Sequence, residues 1–157
     1  MSKKQKRIHY IIHSALIAAA YVGLTFLSNI FGLAYGPIQL RVLTILPVFT
    51  PAAIPGLTIG CFIANIASFN MLDMVFGSFA TLIAAVLTYF LRNIKFKNLP
   101  LLAMFPPVIV NALIIGFEIA FFFLPEGFYF LGFLISAFEV GIGQLIVCYG
   151  LGIPFYL

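Results

Sequence analysis

Polar residues fall in a few short clusters along this chain, and the intervals between the clusters are long and apolar. Charge is absent over 8–40, 42–72, 74–91, 98–117 and 140–157, and apolar runs of about 18 residues or more mark membrane-spanning helices. Four spans follow directly: 10–31, 71–91, 99–124 and 131–156, with breaks at Gly36-Pro37, at 68–70 and at Pro125-Glu126-Gly127. The stretch 42–68 is harder. Its 27 residues would make a helix of about 40 Å, long for one straight crossing and short for two. Pro47, Pro51 and Pro55 interrupt it, and each removes a backbone donor.

Charge decides the count of crossings. Lys3, Lys4, Lys6 and Arg7 form one basic cluster and Arg92, Lys95 and Lys97 another, each at the end of an apolar span. Basic residues beside spans mark the cytoplasmic side. A single crossing by 42–68 would put the two clusters on opposite sides. Two short passes with a turn near 50–56 put both inside, which predicts an all-α membrane protein of six transmembrane helices, with cytoplasmic termini and with Arg41, Asp73 and Glu126 outside. A re-entrant hairpin preserves the same parity.

Composition agrees: 64% of residues are hydrophobic, 8% are charged and the mean hydropathy is +1.20, against about a quarter charged in soluble domains. The net charge of +4 is accounted for by topology, so nucleic acid is not an expected partner, whereas membrane lipid is. The apolar run after the first basic cluster continues for about thirty residues without a cleavage signal, as a retained helix does. With no internal repeat or linker, residues 1–157 read as a single domain in the cell membrane. Cys61 and Cys148 lie inside apolar segments and read as small buried hydrophobes. His9 and His13 share a helical face without further ligands, so no metal and no cofactor is expected. Nothing in the sequence makes an enzyme.

Polar groups inside a membrane are costly and need a partner or a task. Glu118 lies about 28 Å along the fifth helix from its cytoplasmic start, in the outer half. Asn111, seven residues earlier, falls on nearly the same face; a helix-packing hydrogen bond accounts for it equally well. In the sixth helix Glu139 and Gln144 are five residues apart, about 140° around a regular helix, so one pocket does not receive both unless Gly141 and Gly143 distort the backbone. Asp73 opens the fourth helix, where capping is as good a role as ligand contact. Arg41 and Asn65 complete the candidate substrate contacts. Ala15, Ala19 and Gly23 give small-xxx-small spacing on the first helix, and packing within the chain is the simpler reading of that spacing.

The runs Tyr35-Gly-Pro-Ile-Gln-Leu-Arg41, Leu46-Pro-Val-Phe-Thr-Pro-Ala-Ala-Ile-Pro-Gly56 and Gly60-Cys-Phe-Ile-Ala-Asn65 resemble the queuosine-precursor transporter family. So do Leu72-Asp-Met-Val-Phe-Gly-Ser78, Asn111-Ala-Leu-Ile-Ile-Gly-Phe-Glu118 and Cys148-Tyr-Gly-Leu-Gly152. The resemblance implies the substrate-binding S component of an energy-coupling-factor (ECF) importer: a six-helix bundle with an outward-opening pocket. The leading expectation is that the outer halves of helices four to six, with 33–41 as a lid, capture the ligand. The resemblance also implies partners, namely a transmembrane coupling subunit and two cytoplasmic ATPases, docked on the alanine-rich face of the first helix, and a 7-deazaguanine as substrate. No GxxxxGK[ST] loop is present, so ATP hydrolysis falls to those partners. The chain departs from the family pattern in lacking Ser-Glu-Ala after Val42 and in carrying Gln144 where the family has glutamate. Both departures remove carboxylates near the expected ligand. The alternatives are the same architecture serving another vitamin or nucleobase, and a non-transporting membrane interaction protein.

Overall fold

The computed structural model describes residues 2–30, 42–67, 71–95, 99–124 and 128–156. The first helix, α1 (Lys3–Ile30), starts seven residues earlier than the apolar pattern predicts and takes the basic cluster into its first turns. Its start is a reciprocal cap: Ser2 Oγ accepts from the Gln5 amide at 3.2 Å, and Gln5 Oε1 accepts from the Ser2 amide at 2.7 Å. This capping box satisfies orphan donors at the helix end.

A 3-10 helix, Val42–Val48, precedes a turn at 49–52 and the 15-residue α2 (Ala53–Ala67). The turn lies where the prolines predict one, but the prolines act differently from one another. Pro47 sits inside the 3-10 helix. Pro51 lies in the turn, and Pro55 occupies the first turn of α2, where its missing N–H would have had no intrahelical partner. Seven residues of 3-10 helix rise only about 14 Å, so Val42–Val48 does not cross a bilayer alone, and the expectation of two short full passes is corrected to that extent.

Next come α3 (Met71–Leu91) and α4 (Phe105–Glu118), the latter entered through a 3-10 turn at Leu101–Met104 and continued by a π-helical turn at Ile119–Phe123. The last rod is α5 (Phe130–Leu145), which runs through a π-helical stretch, Ile146–Leu151, into α6 (Gly152–Tyr156). The described residues therefore form six helical rods and no strand. Four are long and apolar enough to cross a membrane: Lys3–Ser28, Met71–Leu91, Leu101–Phe123 and Phe130–Pro154.

The rods pack in chain order, α1 on α2, α2 on α3, α3 on α4 and α4 on α5. Helices α1 and α2 run parallel: the Ser14 hydroxyl donates to the Ala52 carbonyl and Tyr10 to that of Pro51, while a Cβ at Gly60 would lie 2.9 Å from Tyr21 Cβ. The other neighbours are antiparallel. Between α2 and α3, Asn65 meets Asp73 and Ala53 and Leu57 share a buried cluster with Ala85. Between α4 and α5, a Cβ at Gly116 would fall 2.7 Å from Ala137 Cα, an approach that only glycine allows. Tyr149 donates to the Leu101 carbonyl at 2.8 Å. These contacts gather the α1 start, the 49–52 turn, the α3 end with Arg92 and the end of α6 at one end of the bundle. The described basic residues Lys3, Lys4, Lys6, Arg7, Arg92 and Lys95 thus share an end, as the charge argument expects.

Candidate functional site

The interior of the bundle carries a small set of polar side chains, and helix phase decides which they are. On α4, Asn111 and Glu118 are each 2% exposed, so the shared face anticipated from their spacing points inward. Glu118 is the last α-helical residue before the π-helical turn Ile119–Phe123. Gln144, 5% exposed, sits just ahead of the second π-helical stretch, Ile146–Leu151. Such widened turns recur at functional sites because they re-aim side chains.

Gln144 is fastened to the protein itself. Its Nε2 donates to Thr44 Oγ1 at 3.4 Å and to Cys148 Sγ at 3.3 Å, and Thr44 Oγ1 and Cys148 Sγ are 3.7 Å apart. The contact ties the 3-10 helix Val42–Val48 to the end of α5, one hundred residues away in sequence. Thr44, 4% exposed, is a site residue that sequence reasoning missed, because nothing local announces so distant a partner. Cys148 was read as a small hydrophobe and proves to be a hydrogen-bonding one.

Asn65 is committed as well. Its Nδ2 donates to the Asp73 carbonyl at 2.9 Å and reaches Cys61 Sγ at 3.5 Å, which joins the end of α2 to the start of α3. The half-buried Asp73 is in the first turn of α3, where a carboxylate complements the helix dipole. Gly77 leaves room for Asp73 Oδ1 and for the Asn65 amide, both of which a Cβ would meet.

Asn111 behaves differently: its Oδ1 is buried and accepts no hydrogen bond from the protein, and Ser78 Oγ on α3 is in the same condition. A buried polar atom left unsatisfied costs about 1–3 kcal/mol, so a fold that retains one calls for an explanation. The arrangement on α4 offers a carboxylate and an amide oxygen, two acceptors, to whatever supplies donors between them.

The remaining candidates do not join this group. Glu139 is exposed on the outward face of α5, among Leu134, Ile135, Phe138 and Ile142, about 140° away from Gln144 as a regular helix dictates. Gly141 and Gly143 do not distort α5; the π-helical stretch starts later. Arg41 and the 33–41 segment lie outside the described residues. On α1 the face toward α2 is Ser14, Ile17, Ala18 and Tyr21, whereas Ala15, Ala19 and Gly23 are exposed and a Cβ at Gly23 would meet nothing within 4 Å. Among the described residues nothing covers the small-residue stripe. His9 and His13 are also exposed, with His9 Nδ1 2.9 Å from the Gln5 carbonyl.

Spanning helices around a buried carboxylate and amide define a multi-pass membrane protein with a polar interior. A family model described as QueT transporter matches residues 11–157, and the chain belongs to that family. It is similar to the queuosine precursor transporter QueT of Lactococcus lactis subsp. cremoris (strain MG1363), with 37% identity over 83 residues. That match covers 51% of this chain and 49% of the relative, so the chain matches about half the length of that curated protein. No solved structure matches the chain.

Proposed function

We propose that this chain is the substrate-binding S component of an ATP-driven ECF-type importer in the bacterial plasma membrane, with both termini cytoplasmic, and that its ligand is a queuosine precursor of the 7-deazaguanine class. The observation that carries the reading is the inward face of α4. Asn111 Oδ1, buried without a hydrogen bond from the protein, shares that face with the buried carboxylate of Glu118. The pyrimidine edge of a deazaguanine presents N–H donors, which two acceptors recognise, and its flat apolar body tolerates a site closed to water. Asp73, Asn65 and Gln144 shape the surroundings and Arg41 belongs to the lid, while Glu139 is left out of the ligand site because it faces outward. ATP hydrolysis comes from two cytoplasmic ATPases through a transmembrane coupling subunit, with the uncovered stripe Ala15, Ala19 and Gly23 as docking face.

The name of the similar Lactococcus protein supports the ligand class, and the shared end of the two basic clusters supports the topology. Titrating the purified full chain with a 7-deazaguanine tests the reading. Tight binding that Glu118→Ala and Asn111→Ala each weaken is the expected result. Equal affinity in wild type and both variants overturns the site, and absence of binding to any deazaguanine overturns the ligand class.

A further inference from the structure

Glu139 occupies a place that the ligand site does not explain. Helix α5 packs on α4 with Gly116 against Ala137 and Gly141 against Ala112, so residue 139 is level with the middle of the Leu101–Phe123 span. Its side chain is on the opposite side of α5 from that contact. There it lies on an open face of α5 with Leu134, Ile135, Phe138 and Ile142, of which Phe138 is 69% exposed. A carboxylate at mid-membrane depth on a lipid-facing surface is unfavourable unless it is neutralised or paired. Among the described residues nothing pairs with it: the basic side chains Lys3, Lys4, Lys6, Arg7, Arg92 and Lys95 are all at one end of the bundle.

The structure assigns this face of α5 as an intramembrane docking surface for a transmembrane helix of another protein, one that carries a lysine or arginine at mid-membrane depth. Charge complementarity selects that occupant over lipid tails, which offer no cation, and over a second parallel copy of this chain, whose described basic residues sit at the wrong depth. The apolar side chains of the face supply packing for the helix and Glu139 the polar contact that sets its register, the arrangement by which polar side chains fasten helices in lipid. This goes beyond the ligand reading and does not rest on it, since this face of α5 is turned away from its contact with α4, which carries Asn111 and Glu118.

The test uses the full chain in its host membranes, with a photoactivatable phenylalanine analogue at position 138, in the presence and absence of Glu139→Lys or Glu139→Gln. The expected result is a protein adduct whose crosslinked peptide is a membrane span containing lysine or arginine. Its yield should fall about tenfold in Glu139→Lys and return when the partner's base is changed to glutamate. Glu139→Gln keeps the shape without the charge, and should lower the yield severalfold even where Glu139→Lys misfolds. Adducts to lipid alone, adducts to a second copy of this chain, or a yield indifferent to both substitutions would overturn the assignment. The crosslinking is read without ligand, so its failure is separate from failure of the deazaguanine assay.

Discussion

Asn111 and Gln144 are both amides, both almost fully buried, on the adjacent helices α4 and α5, yet the protein treats them in opposite ways. Gln144 spends its donors on Thr44 and Cys148, and so holds a short 3-10 helix against the bundle. Asn111 retains an acceptor that no group among the described residues satisfies. In a membrane interior, where water does not relieve a stranded polar atom, that difference is the basis of the ligand contact proposed for Asn111. Type and burial alone would have scored the two residues alike.

The contrast is broken most sharply at the ligand. A hydrogen bond to a charged group is worth about 1.5–3 kcal/mol, so Glu118→Ala should weaken deazaguanine binding roughly tenfold to a hundredfold. Asn111→Ala should act in the same direction and by less, because its acceptor is neutral. Isothermal titration of the detergent-purified chain measures both, and an undiminished affinity in either would return that residue to the class of helix fastenings.

The same contrast shows what could be read in advance. Spans, the turn near residue 50 and the inward phase of Asn111 and Glu118 follow from apolar run length and a 100° helical step, both local properties. The phase argument also separated Glu139 from Gln144 correctly. Even the early start of α1 had a local signal, since Ser2 and Gln5 have capping-box spacing, though the apolar pattern drew attention away from it. What sequence did not reveal depends on distant contacts: the 3-10 form of Val42–Val48, the partnership of Thr44 with Gln144, and the two π-helical turns. The outward aim of Ala15, Ala19 and Gly23 was equally hidden, because a small-residue stripe reads the same whether it packs within the chain or is left for another.

Stability should respond where ligand binding does not decide. Gln144→Leu removes the amide that donates to Thr44 Oγ1 and Cys148 Sγ, and with it a link between α5 and the 3-10 helix, so a loss of about 2 kcal/mol is expected. Thermal unfolding in detergent, followed by reaction of the buried thiols of Cys61 and Cys148, reads it as a drop of several degrees. Thr44→Val removes one hydroxyl of the same network and keeps the side-chain shape, which lowers the expected loss to about 1 kcal/mol. If Thr44→Val proved as costly as Gln144→Leu, the threonine would be doing more than meeting the amide.

The smallest change in stability should come from Asn111, although its buried amide oxygen is unsatisfied. Asn111→Leu replaces the side chain with one of similar reach and no polar atom, which removes the stranded acceptor together with its desolvation cost. Replacing an unsatisfied polar group by an apolar one is near neutral or stabilising, so stability should stay within about 0.5 kcal/mol of wild type or rise, while deazaguanine binding is weakened. A clear fall in unfolding temperature would mean that the Asn111 side chain holds helices together in the unliganded protein, and the distinction between the two amides would disappear.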